Sequence, residues 1–149
     1  KVPTYDLQPQ MSAPQVAGAL IEHMKNEQPD FICLNFANPD MVGHTGVYDA
    51  IIEAIETVDT QLQKVVIRGL ELGYEFIIIA DHGNADLAIN SDGSPNTAHS
   101  LNPVPIIWVH QNASNQKIKD GILADVAPTI LSRMGLFQPK EMTGGSLIK

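Results

Sequence analysis

An α/β fold, with a mostly parallel β-sheet flanked by helices, is what the chain predicts, and three observations predict it. Residues 31–36 and 76–80 are short apolar runs with the length of buried strands. Residues 47–72 between them repeat their apolar side chains at helical period. A second helical pattern precedes the first run, so helices and strands alternate as they do in parallel β/α units.

Ser12-Ala13-Pro14-Gln15 opens the first helix, with Ser12 as N-cap, Pro14 in the first turn and Gln15 completing a capping-box pattern. Val16, Ala19, Leu20, His23 and Met24 follow at helical spacing, and Pro29 closes the element. Residues 31–36 are the first strand, with Cys33 expected to be a buried, inert thiol inside it. Asn38-Pro39-Asp40 punctuates the chain, because Pro39 biases Asn38 away from helical geometry. The long helix over 47–72 carries a stripe of Ile51, Ile52, Ile55, Val58, Leu62, Val65 and Val66 expected in the core, and Gly73 stands where a helix stops. Residues 76–80 form the second strand.

Residues 81–103 are a polar stretch without periodicity, and a loop this long in a compact domain is usually functional or disordered. Residues 104–109 are a third strand, where Pro105 requires a strand start or a sheet edge. Trp108 is expected in the core. Asp125-Val126-Ala127-Pro128 opens a last helix through Met134, ended by Gly135.

Composition narrows the function. Seventeen Asp+Glu against nine Lys+Arg leave a net charge of −8, with no basic run, so the footprint of a nucleic-acid binder is missing. The longest apolar run is far too short to span a bilayer. One cysteine cannot form an internal disulfide. A cytoplasmic setting without membrane or nucleic-acid partners is expected. The 149 residues are the length of one domain, although the chain opens on Lys1 rather than Met and so reads as part of something longer.

In parallel α/β sheets ligands bind beyond the carboxyl ends of the strands. There the sequence places Asp40 and His44, then Asp81, His82 and Asp86, with His99 later in the long loop. Carboxylates with neutral imidazoles suit Mn²⁺, Zn²⁺ or Fe²⁺, and the absence of nearby thiolates argues against a structural zinc site. Two carboxylates plus three imidazoles exceed one tetrahedral site, so the count points to two metals, as in enzymes that clamp a transferring phosphoryl group. Gly43, Gly46 and Gly83 would let backbone approach closely. Asp86 is either a hydrogen-bond partner fixing a ligand imidazole or a turn residue. His23 and His110 are expected to be structural or solvent-facing.

These segments, Asn38-Pro39-Asp40-Met41-Val42-Gly43-His44-Thr45-Gly46, Ala80-Asp81-His82-Gly83-Asn84-Ala85-Asp86 and Thr97-Ala98-His99-Ser100, resemble the cofactor-independent (2,3-bisphosphoglycerate-independent) phosphoglycerate mutase family of the alkaline phosphatase superfamily. The likeness extends to Lys1-Val2-Pro3-Thr4-Tyr5-Asp6-Leu7-Gln8-Pro9, Leu123-Ala124-Asp125-Val126-Ala127-Pro128-Thr129 and Met142-Thr143-Gly144. The resemblance implies an alkaline phosphatase-like fold and two Mn²⁺ ions, without an organic cofactor. Asp40, His44 and His99 would hold one ion, and Asp81 with His82 would contribute to the other. The implied activity moves a phosphoryl group between the 3- and 2-hydroxyls of glycerate through a phosphoserine, interconverting 3- and 2-phosphoglycerate in glycolysis and gluconeogenesis.

The family's nucleophilic serine, in an Asn-Ser-Glu-Val-Gly-His context, has no match among the serines at 12, 91, 94, 100, 114, 132 and 146. The N-terminal aspartate of the second metal site and the basic residues of the inserted phosphotransferase domain have none either. The resemblance therefore implies an incomplete fragment: residues 1–149 as the C-terminal segment of the phosphatase-like, metal-binding domain. Such a fragment is expected to fold, to bind Mn²⁺ weakly at the three-ligand site, to be inactive alone and to self-associate through its truncated surface. Two alternatives stay open: another phosphomutase or phosphohydrolase of the superfamily, such as a phosphopentomutase, or a non-catalytic metal-binding module.

Overall fold

The computed structural model describes residues 2–112 and 117–148, so Lys1 and Ser114 lie outside the described residues. The fold is α/β, with four α-helices and a two-stranded sheet among the described residues. They divide into two compact units: residues 2–74 with 82–103, and 75–81 with 104–148. No helix of the described residues is long and apolar enough to cross a membrane.

The first unit is helical. Helix α1 spans Ala13–Glu27 behind Ser12, with Pro14 in its first turn, where a missing N–H costs nothing. The predicted capping box does not form, since Ser12 has φ −102° and ψ 9° and makes no side-chain cap bond. Helix α2, Asn38–Gly43, starts where the sequence predicted a break. Pro39 falls in its first turn, so neither its lost donor nor its ring interrupts an intrahelical bond. The buried Asn38 amide anchors this start by donating to the Pro9 carbonyl at 2.8 Å. Helix α3 spans Tyr48–Glu71, and both α1 and α2 pack against it.

The face that α3 buries is narrower than the predicted stripe. Ala50, Ile51, Ala54, Gln61, Val65 and Gly69 are buried, whereas Ile52 and Ile55 are exposed. The small residues on the buried side let neighbouring backbones approach, which decides the packing face over bulk apolarity. Val42 from α2 closes on Ala50, Ile51 and Ala54, with Met11, Ala85 and Ala88 packed around them.

The strand predicted over residues 31–36 does not form. Exposure there alternates residue by residue, as in an extended chain, but no neighbouring strand supplies ladder hydrogen bonds among the described residues. Cys33 is accordingly exposed rather than buried.

The second unit holds the sheet. Strand β1, Phe76–Ile79, pairs antiparallel with β2, Ile106–Val109, matching Phe76 with Val109 and Ile79 with Ile106. The predicted parallel arrangement is thus not the one seen between these strands. Parallel neighbours need a crossover, usually a helix, and the residues between β1 and β2 contain only a 3-10 turn, Ala85–Leu87. Pro105 sits just ahead of β2, outside the ladder, as its missing donor requires. A 3-10 turn at Leu123–Asp125 leads into α4, Val126–Arg133. Fully buried Thr129 ties α4 to the end of the chain: its hydroxyl donates to the Asp125 carbonyl at 2.7 Å and accepts the Leu147 N–H at 2.9 Å.

Trp108 is half-buried rather than core, stacked on His110 at 4.0 Å, with the Arg133 guanidinium 4.9 Å over its ring. Arg133 forks onto Glu75 with bonds of 2.6 and 3.0 Å, and the Trp108 indole N–H adds a third at 3.2 Å. The Arg133 hydrogen bonds hold Glu75 below its ordinary carboxyl value of 4.5, against an opposing contribution from burial. A carboxyl lowered on folding stabilises fully above the unfolded value and loses that contribution as pH falls through the folded one. Glu75→Gln is therefore expected to lower the urea midpoint at pH 7, by the equivalent of about 1 kcal/mol or less for so exposed a pair. The gap to wild type should narrow below pH 4.5, and equal gaps at pH 7 and at pH 3 would refute this role.

Candidate metal centre

Helix α2 presents Asp40 and leads directly into His44, its C-cap, and a separation of four residues sets both side chains on one face. His82 and His99 come from the two arms of the long loop, joined by an antiparallel bridge between Gly83 and Ser100. The four side chains meet around one carboxylate oxygen. His99 Nε2 lies 3.0 Å from Asp40 Oδ1, His44 Nε2 3.2 Å and His82 Nε2 3.9 Å. His99 Nε2 and His44 Nε2 are 3.3 Å apart, and the His82 and His99 rings stack at 3.7 Å.

The hydrogen bonds assign the imidazole tautomers. His44 Nδ1 sits 2.7 Å from the Thr97 carbonyl, which only accepts, so Nδ1 carries the proton and Nε2 turns a lone pair toward Asp40. His82 is held the same way, with Nδ1 3.3 Å from the Gly83 carbonyl. Asp40 is itself oriented by the Asn84 amide, which donates to Oδ1 at 3.1 Å. Asn84 is buried and lies so close to α2 that a side chain at Gly43 would have to displace the Asn84 amide.

This donor set suits a divalent cation. Asp40, His44 and His99 each offer a ligand atom, all within 4.8 Å of one another. A cation about 2.0–2.2 Å from each ligand requires ligand separations of about 2.8–3.6 Å. The observed 3.0, 3.2 and 3.3 Å fall inside that range. The backbone carbonyls behind His44 and His82 are the outer partners that metal-bound imidazoles normally have.

The structure gathers four of the five predicted site residues in the first unit. Asp81, exposed and following β1 in sequence, belongs to the second. Asp86 holds no imidazole: its oxygens accept from Ser100 Oγ at 2.9 and 3.2 Å and from Asn102 Nδ2 at 2.6 Å. The Asn102 bond first, then the Ser100 hydroxyl, keep its carboxyl below the ordinary value despite some desolvation. His23 is exposed on α1, and His110 accepts the Asn112 N–H in the second unit. Asn84, Thr97, Ser100 and Asn102 were not assigned from sequence. Asn84 had the clearest signal, since it directly follows Asp-His-Gly, whereas a carbonyl such as that of Thr97 leaves no trace in side-chain identity.

Residues 1–138 match the family described as the Metalloenzyme superfamily. The chain is 58% identical over 149 residues to a 2,3-bisphosphoglycerate-independent phosphoglycerate mutase of Parabacteroides distasonis, covering 100% of this chain and 29% of that protein. To the Flavobacterium johnsoniae protein of the same name it is 55% identical over 148 residues, covering 99% and 29%. The chain thus spans under a third of the length of these relatives. A crystal structure of Leishmania mexicana phosphoglycerate mutase, obtained at low cobalt concentration, superposes with a TM-score of 0.88 at 28% identity, covering 100% of this chain and 30% of that one.

Proposed function

The chain belongs to the Metalloenzyme superfamily, and from that premise we propose that it is the metal-holding part of a phosphoglycerate mutase that interconverts 3- and 2-phosphoglycerate. The observation that carries the reading is the triangle of Asp40 Oδ1, His44 Nε2 and His99 Nε2, with edges of 3.0–3.3 Å. Asp40, His44 and His99 would hold one Mn²⁺, and Asp81 with His82 would contribute to a second. Bound there, the ions would neutralise charge on the transferring phosphoryl group and activate the oxygen that attacks it.

The chain's own residues prepare that site. Thr97 and Gly83 carbonyls fix the tautomers of His44 and His82, and Asn84 fixes Asp40, so the donors need little reorganisation. The nucleophile is assigned to a serine outside these residues. Ser100, the serine beside His99, has its hydroxyl committed to Asp86. The parent is read as a cytoplasmic glycolytic enzyme, whose N-terminal segment and inserted domain would bring the remaining ligands and the basic groups that grip phosphoglycerate.

Exchange of the matching segment of the Parabacteroides distasonis mutase for this chain tests the reading. The chimera is expected to convert 3-phosphoglycerate to 2-phosphoglycerate with Mn²⁺, to leave ribose 5-phosphate untouched, and to lose turnover with His99→Ala. The isolated chain should show no turnover. A folded, Mn²⁺-loaded chimera that fails to turn over phosphoglycerate would leave a metal-binding module as the better description.

A further inference from the structure

We propose that Asp86 is a positioning residue for this centre, bracing the two loop arms that carry His82 and His99; the inference rests on the metal reading above. The brace is built immediately behind the imidazoles. Asp86 stands in the 3-10 turn Ala85–Leu87, and its oxygens take the hydroxyl of Ser100, the residue after His99, and the amide of Asn102. Ser100 N–H in turn donates to the carbonyl of Gly83, the residue after His82, at 2.8 Å. The arms are therefore pinned one residue beyond each imidazole, where the rings stack at 3.7 Å.

Two further features fit a brace rather than a ligand. Both Asp86 oxygens already accept donors, and Asp86 is outside the group of ligand atoms around Asp40. The space is also closed to any side chain at position 83: a Cβ there would lie 2.1 Å from Ser100 Oγ and 2.7 Å from Asp86 Oδ1. Gly83 thus lets the carboxylate and hydroxyl meet directly over the backbone. Without the brace, His99 would have to be ordered against Asp40 when the cation binds, and affinity would fall by that ordering entropy.

Co²⁺ titration of the 149-residue chain, followed by visible absorption, tests this. Far-UV circular dichroism and metal-free melting serve as fold controls. Asp86→Asn is expected to stay folded and to weaken Co²⁺ binding about 10-fold or more, within the range typical of outer-shell partners. Ser100→Ala should weaken it less, because the Asn102 bond remains, and adding it to Asp86→Asn should change little further. A folded Asp86→Asn chain with wild-type Co²⁺ affinity overturns the proposal, even if its metal-free melting point falls, since a purely structural role would do that alone. If Asp86→Asn does not fold, Asn102→Ala decides in the same way. Wild-type chain that binds no Co²⁺, or His99→Ala that binds it normally, would instead overturn the metal reading and this inference with it.

Discussion

Replacing Asp40 by alanine is expected to abolish divalent-metal binding, raising the dissociation constant for Mn²⁺ more than about 100-fold. Asp40 Oδ1 is the atom around which the three imidazoles gather, at 3.0, 3.2 and 3.9 Å. It also supplies the one carboxylate in a set whose other members are imidazoles. Removing it leaves two or three imidazoles with no counter-charge for a dication, and frees the Asn84 amide that orients it. Asp40→Asn should fall nearly as far, because an amide keeps an oxygen but loses the charge. Asp49→Ala, in the exposed first turn of α3, should leave affinity unchanged.

Titration calorimetry with Mn²⁺ measures this directly, and melting gives an independent check. A ligand that binds only the folded chain stabilises it by about 2.7 kcal/mol at one hundred times its dissociation constant. Wild-type chain should melt at a higher temperature with saturating Mn²⁺, and Asp40→Ala should not. An Asp40→Ala chain that retains the Mn²⁺-induced rise would refute the assignment.

The largest effect on stability is expected at Ile51. It is 2% exposed at the centre of the cluster formed with Val42, Ala50 and Ala54. Truncation to alanine removes three methyl or methylene groups where Val42 and Ala54, both fully buried, offer little room to collapse. Ile51→Ala should cost about 2–5 kcal/mol and Ile51→Val about 0.5–1.5 kcal/mol. Against the typical total of about 5–15 kcal/mol, the first is enough to populate unfolded chain near physiological temperature.

The loss should reach the metal centre as well. Val42 lies on α2 between Asp40 and His44, and Ala85 and Ala88 rest on the same cluster just beyond His82. Ile51 therefore supports both sides of the site. Urea unfolding followed by circular dichroism should show the drop in midpoint, and Co²⁺ affinity should weaken by a smaller factor than in Asp40→Ala. A wild-type midpoint for Ile51→Ala would mean that the cluster is not the support described.

Local chemistry was legible wherever it is decided locally. The apolar period placed α3 within a residue or two of its observed limits, and Ser12-Ala13-Pro14 located the start of α1 although its capping box is absent. The short helix α2 was hidden because Asn-Pro ordinarily marks a break, and only the buried bond from Asn38 to Pro9 shows what holds that turn. Residues 31–36 have strand composition, but a strand exists only when another backbone takes its hydrogen bonds. Cys33 is exposed for the same reason. Ile52 and Ile55 have the hydrophobicity of core residues and are exposed, because packing on α3 follows the small-residue side.

By itself the sequence determined an α/β chain with an acidic excess and a set of carboxylates and imidazoles of the types that bind metals. Those are properties of residue type and short-range spacing, which a linear chain carries in full. Which of those groups meet was decided by tertiary structure alone. His99 reaches Asp40 across 59 residues, and the sign of β1–β2 pairing depends on how the intervening loop returns. No period or motif encodes separations that long, since they follow from the summed packing of elements distant in sequence. The same holds for Asp86: its residue type allowed either a ligand's partner or a turn, and only the fold places it in the 3-10 turn with its carboxylate on Ser100 and Asn102.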